Sequence, residues 1–398
     1  MTASAQSAGV AARPGRAGRL LLGGFLSLAI LMGIGRFHYT PLLPLMQREY
    51  GFGTDVAGLV ASVNFAGYLL GSILSALVPR GRPRLLAFRI GILTSVATTL
   101  LMGLTDWLPA WLALRGLSGM ASAFGMIAAV GIVSEALGRV GAEERLAWVF
   151  GGVGCGIAAS GLLTEIGHPA LSADGLWIAA GLGCLALLPL VLSEIGERDL
   201  GAPPSTGATG ERPQPRPIAF WPLLVNYTCE GLGYSVFATF IVTIVKSQPG
   251  LDHLGDFVWI VVGLAGLPSN LLWSRIARRI GFAAALALCY VGQIVGVALP
   301  ALGDGPVPAV AGALLFGGTF MAITFLTGPL GRRSLGGRGF AVLTAGFGLG
   351  QMTGPLIAGL FVSGPEDFAA ALLASAGILA FGLLFLLGAM IWRPAATA

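Results

Sequence analysis

The chain has 398 residues, of which 55% are hydrophobic and only 10% charged, with 62 glycines and a formal charge of +5. A soluble domain carries about 25% charged residues, so this chain has too little polar surface to cover itself in water. Soluble enzymes, disordered scaffolds and nucleic-acid binders are excluded, and the pI of 9.3 reflects where the arginines sit rather than a nucleic-acid surface.

A membrane helix needs about 20 mostly apolar residues, and the sequence predicts twelve. An acid-free segment, residues 1–19, comes first and is expected to be a disordered cytoplasmic tail, since no small-residue cleavage site follows. Six spans come next: Leu20–Met46, Val56–Val78, Leu85–Leu104, Leu108–Val133, Leu146–Ile166 and Leu176–Leu192, a first bundle over 20–192. Residues 193–219 are rich in Pro, Gly and charge and read as a disordered cytoplasmic linker. The second bundle, 220–392, holds Phe220–Val245, Phe257–Ser274, Phe282–Leu302, Val307–Leu330, Phe340–Val362 and Phe368–Ile391. The expectation is an all-α polytopic membrane protein of two six-helix halves, both termini cytoplasmic.

The basic residues test that topology, because cytoplasmic loops hold the Lys/Arg excess. With the N-terminus inside, only Arg48 and Lys246 of the 23 basic residues fall outside, and Arg36 and Arg115 lie within spans. A missed or invented helix would spoil this asymmetry.

The halves also repeat at an offset of 198 residues: Gly33–Tyr39 in the first span aligns with Gly231–Phe237 in the seventh. After the second and eighth spans both halves carry a basic turn, with Arg80, Arg82 and Arg84 in one and Arg275, Arg278 and Arg279 in the other. Parallel halves of this kind are the pattern of transporters that rock about a central site.

On these residues the chain resembles the major facilitator superfamily over nearly its whole length. Arg275-Ile276-Ala277-Arg278-Arg279 is similar to the family's basic turn between the second and third helices of each half. Ser274 stands in place of the usual acid and Ala277 in place of a Gly, and the first-half turn also lacks its acid. Arg115-Gly116-Leu117-Ser118-Gly119 resembles the fourth-helix motif, whose arginine faces the cavity. Gly152, Gly156 and Gly161 lie where the antiporter motif would be, without its Gly-Pro pair. More narrowly, GIGRFHYTPLLPLMQ (33–47) resembles the first helix of the YbfB/YjiJ-type bacterial members. The resemblance implies a monomeric carrier of a small solute in the bacterial inner membrane, without a cofactor.

Charges inside spans are costly and default to function; three qualify, Arg36, Arg115 and Glu230. If the first and fourth helices line the cavity, the two arginines could converge on one anion, whose carboxylate a guanidinium fork binds bidentately. The alternatives are snorkelling or carbonyl bonding for Arg36 and packing or proton coupling for Arg115. Glu230, near the midplane, forms an i, i+4, i+8 stripe with Asn226 and Tyr234 and could carry a proton, gate the path, or make a structural polar contact. Tyr39, Asn64, Tyr68, Tyr234 and Gln351 complete the candidate binding set, each with interhelical hydrogen bonding as the bland alternative. His38 points to packing, Glu135 and Glu165 to the interface, and the four single cysteines to packing. The sole lysine, Lys246, stands in no phosphate-binding loop.

The sequence therefore predicts a secondary transporter of a small organic anion working by alternating access, with proton coupling through Glu230. Proton-driven efflux of lipophilic drugs or metabolites is the runner-up. A polytopic membrane enzyme and a non-transporting ligand sensor are remote alternatives.

Overall fold

In a computed structural model, the protein is described over residues 14–201, 218–362 and 365–391, with residues 14, 335–338, 340, 341 and 365–367 described by their backbone alone. Every regular element among them is helical. Among the described residues, eleven helices are long and apolar enough to cross a membrane. Their outward faces carry exposed Leu182, Leu185, Phe381 and Leu384, an apolar surface that suits lipid and not water. The chain is a multi-pass membrane protein.

The first crossing is broken. Helix α1 (Pro14–Leu28) passes into a π-helical turn, Ala29–Ile34, and the chain resumes as α2 (Tyr39–Tyr50). Two prolines in α2, Pro41 and Pro44, remove backbone donors. The Thr40 N–H turns to the Phe37 carbonyl at 3.3 Å, and the Gly35 N–H reaches five residues back to Ile30 at 2.8 Å.

Five further helices complete this part of the chain: α3 (Thr54–Ala76), α4 (Arg82–Met102), α5 (Leu108–Arg139), α6 (Leu146–Gly167) and α7 (Ala173–Glu194). After residue 217 come α8 (Phe220–Ser247), α9 (Gly255–Ile280), α10 (Phe282–Leu302), α11 (Pro306–Gly317), α12 (Phe320–Phe361) and α13 (Pro365–Ile391).

Helix α12 also contains the expected eleventh span, as far as Phe361. The chain nonetheless reverses inside α12. Tyr234 stacks on both Phe320, at 6.4 Å, and Phe347, at 5.4 Å. In a straight helix those two residues would stand about 40 Å apart.

Arg19 pairs with Glu194 at 3.6 Å, and the Ala219 N–H reaches the Ala389 carbonyl at 3.4 Å. The start of α1, the end of α7, the start of α8 and the end of α13 thus share one end of the bundle, hereafter the terminal end. Two seams join the parts before and after the linker. Along one, α6 and α9 touch backbone to backbone: a Cβ on Gly154 would sit 2.6 Å from the Gly263 carbonyl. Along the other, Gly58 of α3 lies against Pro355 and Gly359 of α12. At the far end Thr40 donates to the Ala238 carbonyl and Thr54 to the Val362 carbonyl, each at 2.6 Å.

Two expected disordered segments are partly folded. Residues 14–19 are the first turns of α1, where a proline fits because the first N–H groups of a helix have no partner. The linker begins with a 3-10 turn, Glu197–Asp199, whose Asp199 is buried and pairs with Arg16 and Arg19, each at 3.8 Å. An acid facing those arginines ties this stretch to the bundle, which composition alone could not reveal. Residues 1–13 and 202–217 lie outside the described residues.

Candidate functional site

The break in the first crossing releases backbone carbonyls in the membrane, where unpaired polar groups are costly. Arg115 of α5 answers them: its Nη1 donates to the Gly35 carbonyl at 3.2 Å and its Nη2 to the Arg36 carbonyl at 2.9 Å. The Ser118 hydroxyl also donates to Gly35, at 2.7 Å. The Arg115 carbonyl in turn accepts from Asn64 at 2.9 Å. Tyr39 donates to the Ala57 carbonyl at 3.2 Å. The groups of Arg115, Ser118, Asn64 and Tyr39 thus fasten α2, α3 and α5 around the break.

Arg36, at the break itself, points the other way. Its Nη2 donates to Gln351 Oε1 at 2.6 Å and to the Tyr234 hydroxyl at 3.2 Å, and Tyr234 donates to the same Gln351 oxygen at 2.8 Å. The guanidinium lies over the Tyr68 ring at 4.1 Å, the Phe65 ring at 4.7 Å and the Phe37 ring at 5.3 Å, contacts that stabilise a desolvated cation by about 2 kcal/mol or more. Arg36 is 4% exposed, its Nε has no hydrogen-bond partner, and no carboxylate pairs with it among the described residues. Arg36 and Tyr234 are separated by the repeat offset, as are the bonded Thr40 and Ala238. Equivalent positions that touch lie where a two-fold relation between the halves would place its axis.

Of the expected set, the fold brings Arg36, Tyr68, Tyr234 and Gln351 together. Arg115, Asn64 and Tyr39 lie behind them, with no polar partner shared between the two arginine forks. The stripe on α8 diverges as well: Asn226 donates to the Gly382 carbonyl of α13 at 2.9 Å, Glu230 accepts from Gln293 of α10 at 2.7 Å, and Tyr234 faces Arg36. Each step of four residues turns a helix about 40° beyond a full turn, enough to aim three side chains at three neighbours. The second Glu230 oxygen, Oε2, is buried without a partner. His38 Nε2 donates to the Leu176 carbonyl at 3.3 Å, and the ring packs edge-on against Trp177.

Two sets of residues stand out only in space. Phe37 and Phe65 line the arginine and Phe347 stacks on Tyr234 beside it, yet an aromatic in an apolar run gives no signal of its own in the sequence. At the terminal end Glu135 of α5 accepts from Arg84 at 2.7 Å and stands 3.3 Å from Arg80. It supplies the acid that the basic turn lacks in its own sequence. Arg82 reaches Glu197 at 3.5 Å, both exposed. Among the described residues no acid pairs with Arg275, Arg278 or Arg279, which lie in the last turns of α9.

The described residues form an all-helical membrane bundle with a buried, polar-lined junction where repeat-equivalent residues meet. Solved structures agree on the fold. Nucleoside transporter NupG superimposes with a TM-score of 0.68 at 16% identity, covering 95% of this chain and all of its own. A bacterial homologue of the human lysosomal transporter Spinster, inward-facing and unoccupied, gives 0.68 at 13% identity, covering 96% of this chain and 100% of its own. The chain belongs to the major facilitator superfamily, matching over residues 28–387 the family described as uncharacterised MFS-type transporter YbfB. No curated protein matches it in sequence.

Proposed function

We propose that this transporter moves a small organic anion by alternating access, with Arg36 as the anion-binding group. The observation that supports it is the Arg36 guanidinium: buried, central, and without a carboxylate partner among the described residues. A permanent charge in low dielectric is costly unless paired, and an arriving carboxylate would pair it through the guanidinium fork. Tyr234 and Gln351 hold that fork and would share it with the substrate. The rings of Phe65, Tyr68 and Phe347 suit a substrate with an apolar or aromatic body. Arg115 is assigned the supporting role of holding the broken backbone beneath Arg36.

Glu230 is the proposed proton carrier. It is buried, with one oxygen unpartnered, one helical turn from Tyr234, and proton binding there would ease its burial. The proposed topology has twelve crossings, counting both arms of α12, as two bundles over 20–192 and 220–392. Both ends are cytoplasmic, in a bacterial inner membrane, and the protein acts as a monomer. The arginine distribution and the reversal within α12 support this arrangement.

Proton-driven efflux of lipophilic solutes is the second reading, favoured by the aromatic rings around the junction and by a carboxylate able to neutralise a cation. A thermal-shift screen of the detergent-purified protein separates the two, since a ligand of the folded state raises its stability by mass action. The panel holds small carboxylates, nucleosides and lipophilic cations, at acidic and neutral pH. Stabilisation by carboxylates that disappears in Arg36→Gln is the expected result. Carboxylate stabilisation that survives this change would sink the anion reading, and stabilisation by lipophilic cations that disappears in Glu230→Gln would put efflux first.

A further inference from the structure

At the far end, away from Arg36, the end of α6 meets the start of α9. Glu165, in the last turn of α6, and His168, the helical-backbone residue that caps it, stand three residues apart and so lie on one face. Asp256 opens α9. One ligand atom of each, two oxygens and a ring nitrogen, lies within 4.8 Å of the others. Lys246 Nζ donates to Asp256 Oδ2 at 2.5 Å. The other carboxylate oxygen, Oδ1, is buried and without a hydrogen-bond partner among the described residues, on a side chain only 1% exposed.

We propose that Glu165, His168 and Asp256 form a binding site for a divalent transition metal of the Zn²⁺ class, bridging the two halves of the transporter. The donor set decides the class. An imidazole with two carboxylates suits Zn²⁺, whereas Mg²⁺ and Ca²⁺ prefer oxygen alone. Bonds of about 2.0–2.2 Å around a tetrahedral ion ask the three donors to draw in by roughly 1 Å, which the exposed His168 can supply by rotating. The unpartnered Oδ1 is the group most in need of a cation, since Lys246 occupies only the other oxygen. Water completes the fourth position at this outer rim.

The helices are held in place for it. Gly161 lies against the backbone of α9, where a Cβ would stand 3.1 Å from the Ile260 nitrogen, and Trp259 donates to Ser160 at 3.2 Å. An ion shared between α6 and α9 favours the arrangement in which these ends stay together. This consequence rests on the alternating-access reading; the site itself does not.

The test is isothermal titration of ZnCl2 into the tag-free, detergent-purified full chain, with Co²⁺ absorption as a second readout. One ion per chain is expected, with affinity falling at least tenfold in His168→Gln, where this exposed side chain carries no packing. Lys246→Gln removes the competitor for Asp256 and should tighten Zn²⁺ binding several-fold, which a site built on α6 alone would not do. Binding unchanged in His168→Gln, or unchanged in Lys246→Gln, overturns the proposal, and so does equal binding of Mg²⁺. Because no transport is measured, failure here leaves the reading of Arg36 untouched, and a failed substrate screen leaves the metal site untouched.

Discussion

The two arginines inside the bundle have separate tasks. Arg115 spends both terminal nitrogens on carbonyls freed by the broken first crossing, so its loss strands the Arg36 carbonyl and leaves Gly35 to Ser118 alone. Leaving such groups unpaired costs about 1–3 kcal/mol each. Arg115→Ala should therefore lower the unfolding temperature of the ligand-free protein markedly. Arg36→Gln should leave that temperature nearly unchanged and lose carboxylate binding by about 10–100-fold, the worth of charge-assisted hydrogen bonds. Thermal melts with and without ligand check both. Equal destabilisation by the two changes would show that Arg36 is also a structural strut. The same reasoning assigns Glu230→Gln a selective effect: gradient-driven uptake lost, substrate exchange retained, measured in proteoliposomes with and without a pH difference.

Among the elements, α3 and α12 are joined through glycine. A Cβ at Gly58 would collide with the Pro355 carbonyl and stand 3.2 Å from Gly359, so Gly58→Leu cannot be accommodated in the arrangement described. Packed interfaces respond to such overfilling by separating. The variant should hold the far end open, seen as faster thiol labelling of Thr40→Cys or Ala238→Cys, at the neighbouring α2–α8 contact. Labelling no faster than in the parent would show that the seam yields without opening. The basic turn between α3 and α4 is a smaller element with a clearer accounting. Glu135→Gln removes the anion facing Arg80 and Arg84. Because that site is partly exposed, the cost should be modest, about 1 kcal/mol or less, and a loss of several kcal/mol measured by chemical denaturation would contradict it.

At the scale of the whole molecule, the far ends of the halves are closed by Thr40 on Ala238 and Thr54 on Val362. Transport by alternating access requires these contacts to part in every cycle. A disulfide between Thr40→Cys and Ala238→Cys should abolish flux and restore it on reduction, while substrate binding from the terminal end persists. Flux that continues across the crosslink would exclude rocking about this junction.

Much of this architecture was readable in one dimension. Composition placed the chain in a membrane, because a deficit of charge is a bulk property that needs no contacts to detect. The repeat offset was visible in Gly33–Tyr39 and Gly231–Phe237, and Arg36, Tyr234 and Gln351 stood out because polar groups in apolar runs must find partners. Which partners they find was decided only by the tertiary structure. Nothing in the sequence sends Arg115 to two carbonyls rather than to an anion, since that depends on a break in the first crossing that only the neighbouring helix answers. The stripe on α8 looked like one face and splits toward three helices, because 3.6 residues per turn is not four. Glu135 could not be matched to Arg84 across 51 residues, nor His168 to Asp256 across two helices, because such pairs exist only once the halves are packed. The sequence by itself determined what must be buried and roughly where; tertiary packing alone decided which groups meet each buried charge, carbonyls for Arg115 and only neutral side chains for Arg36.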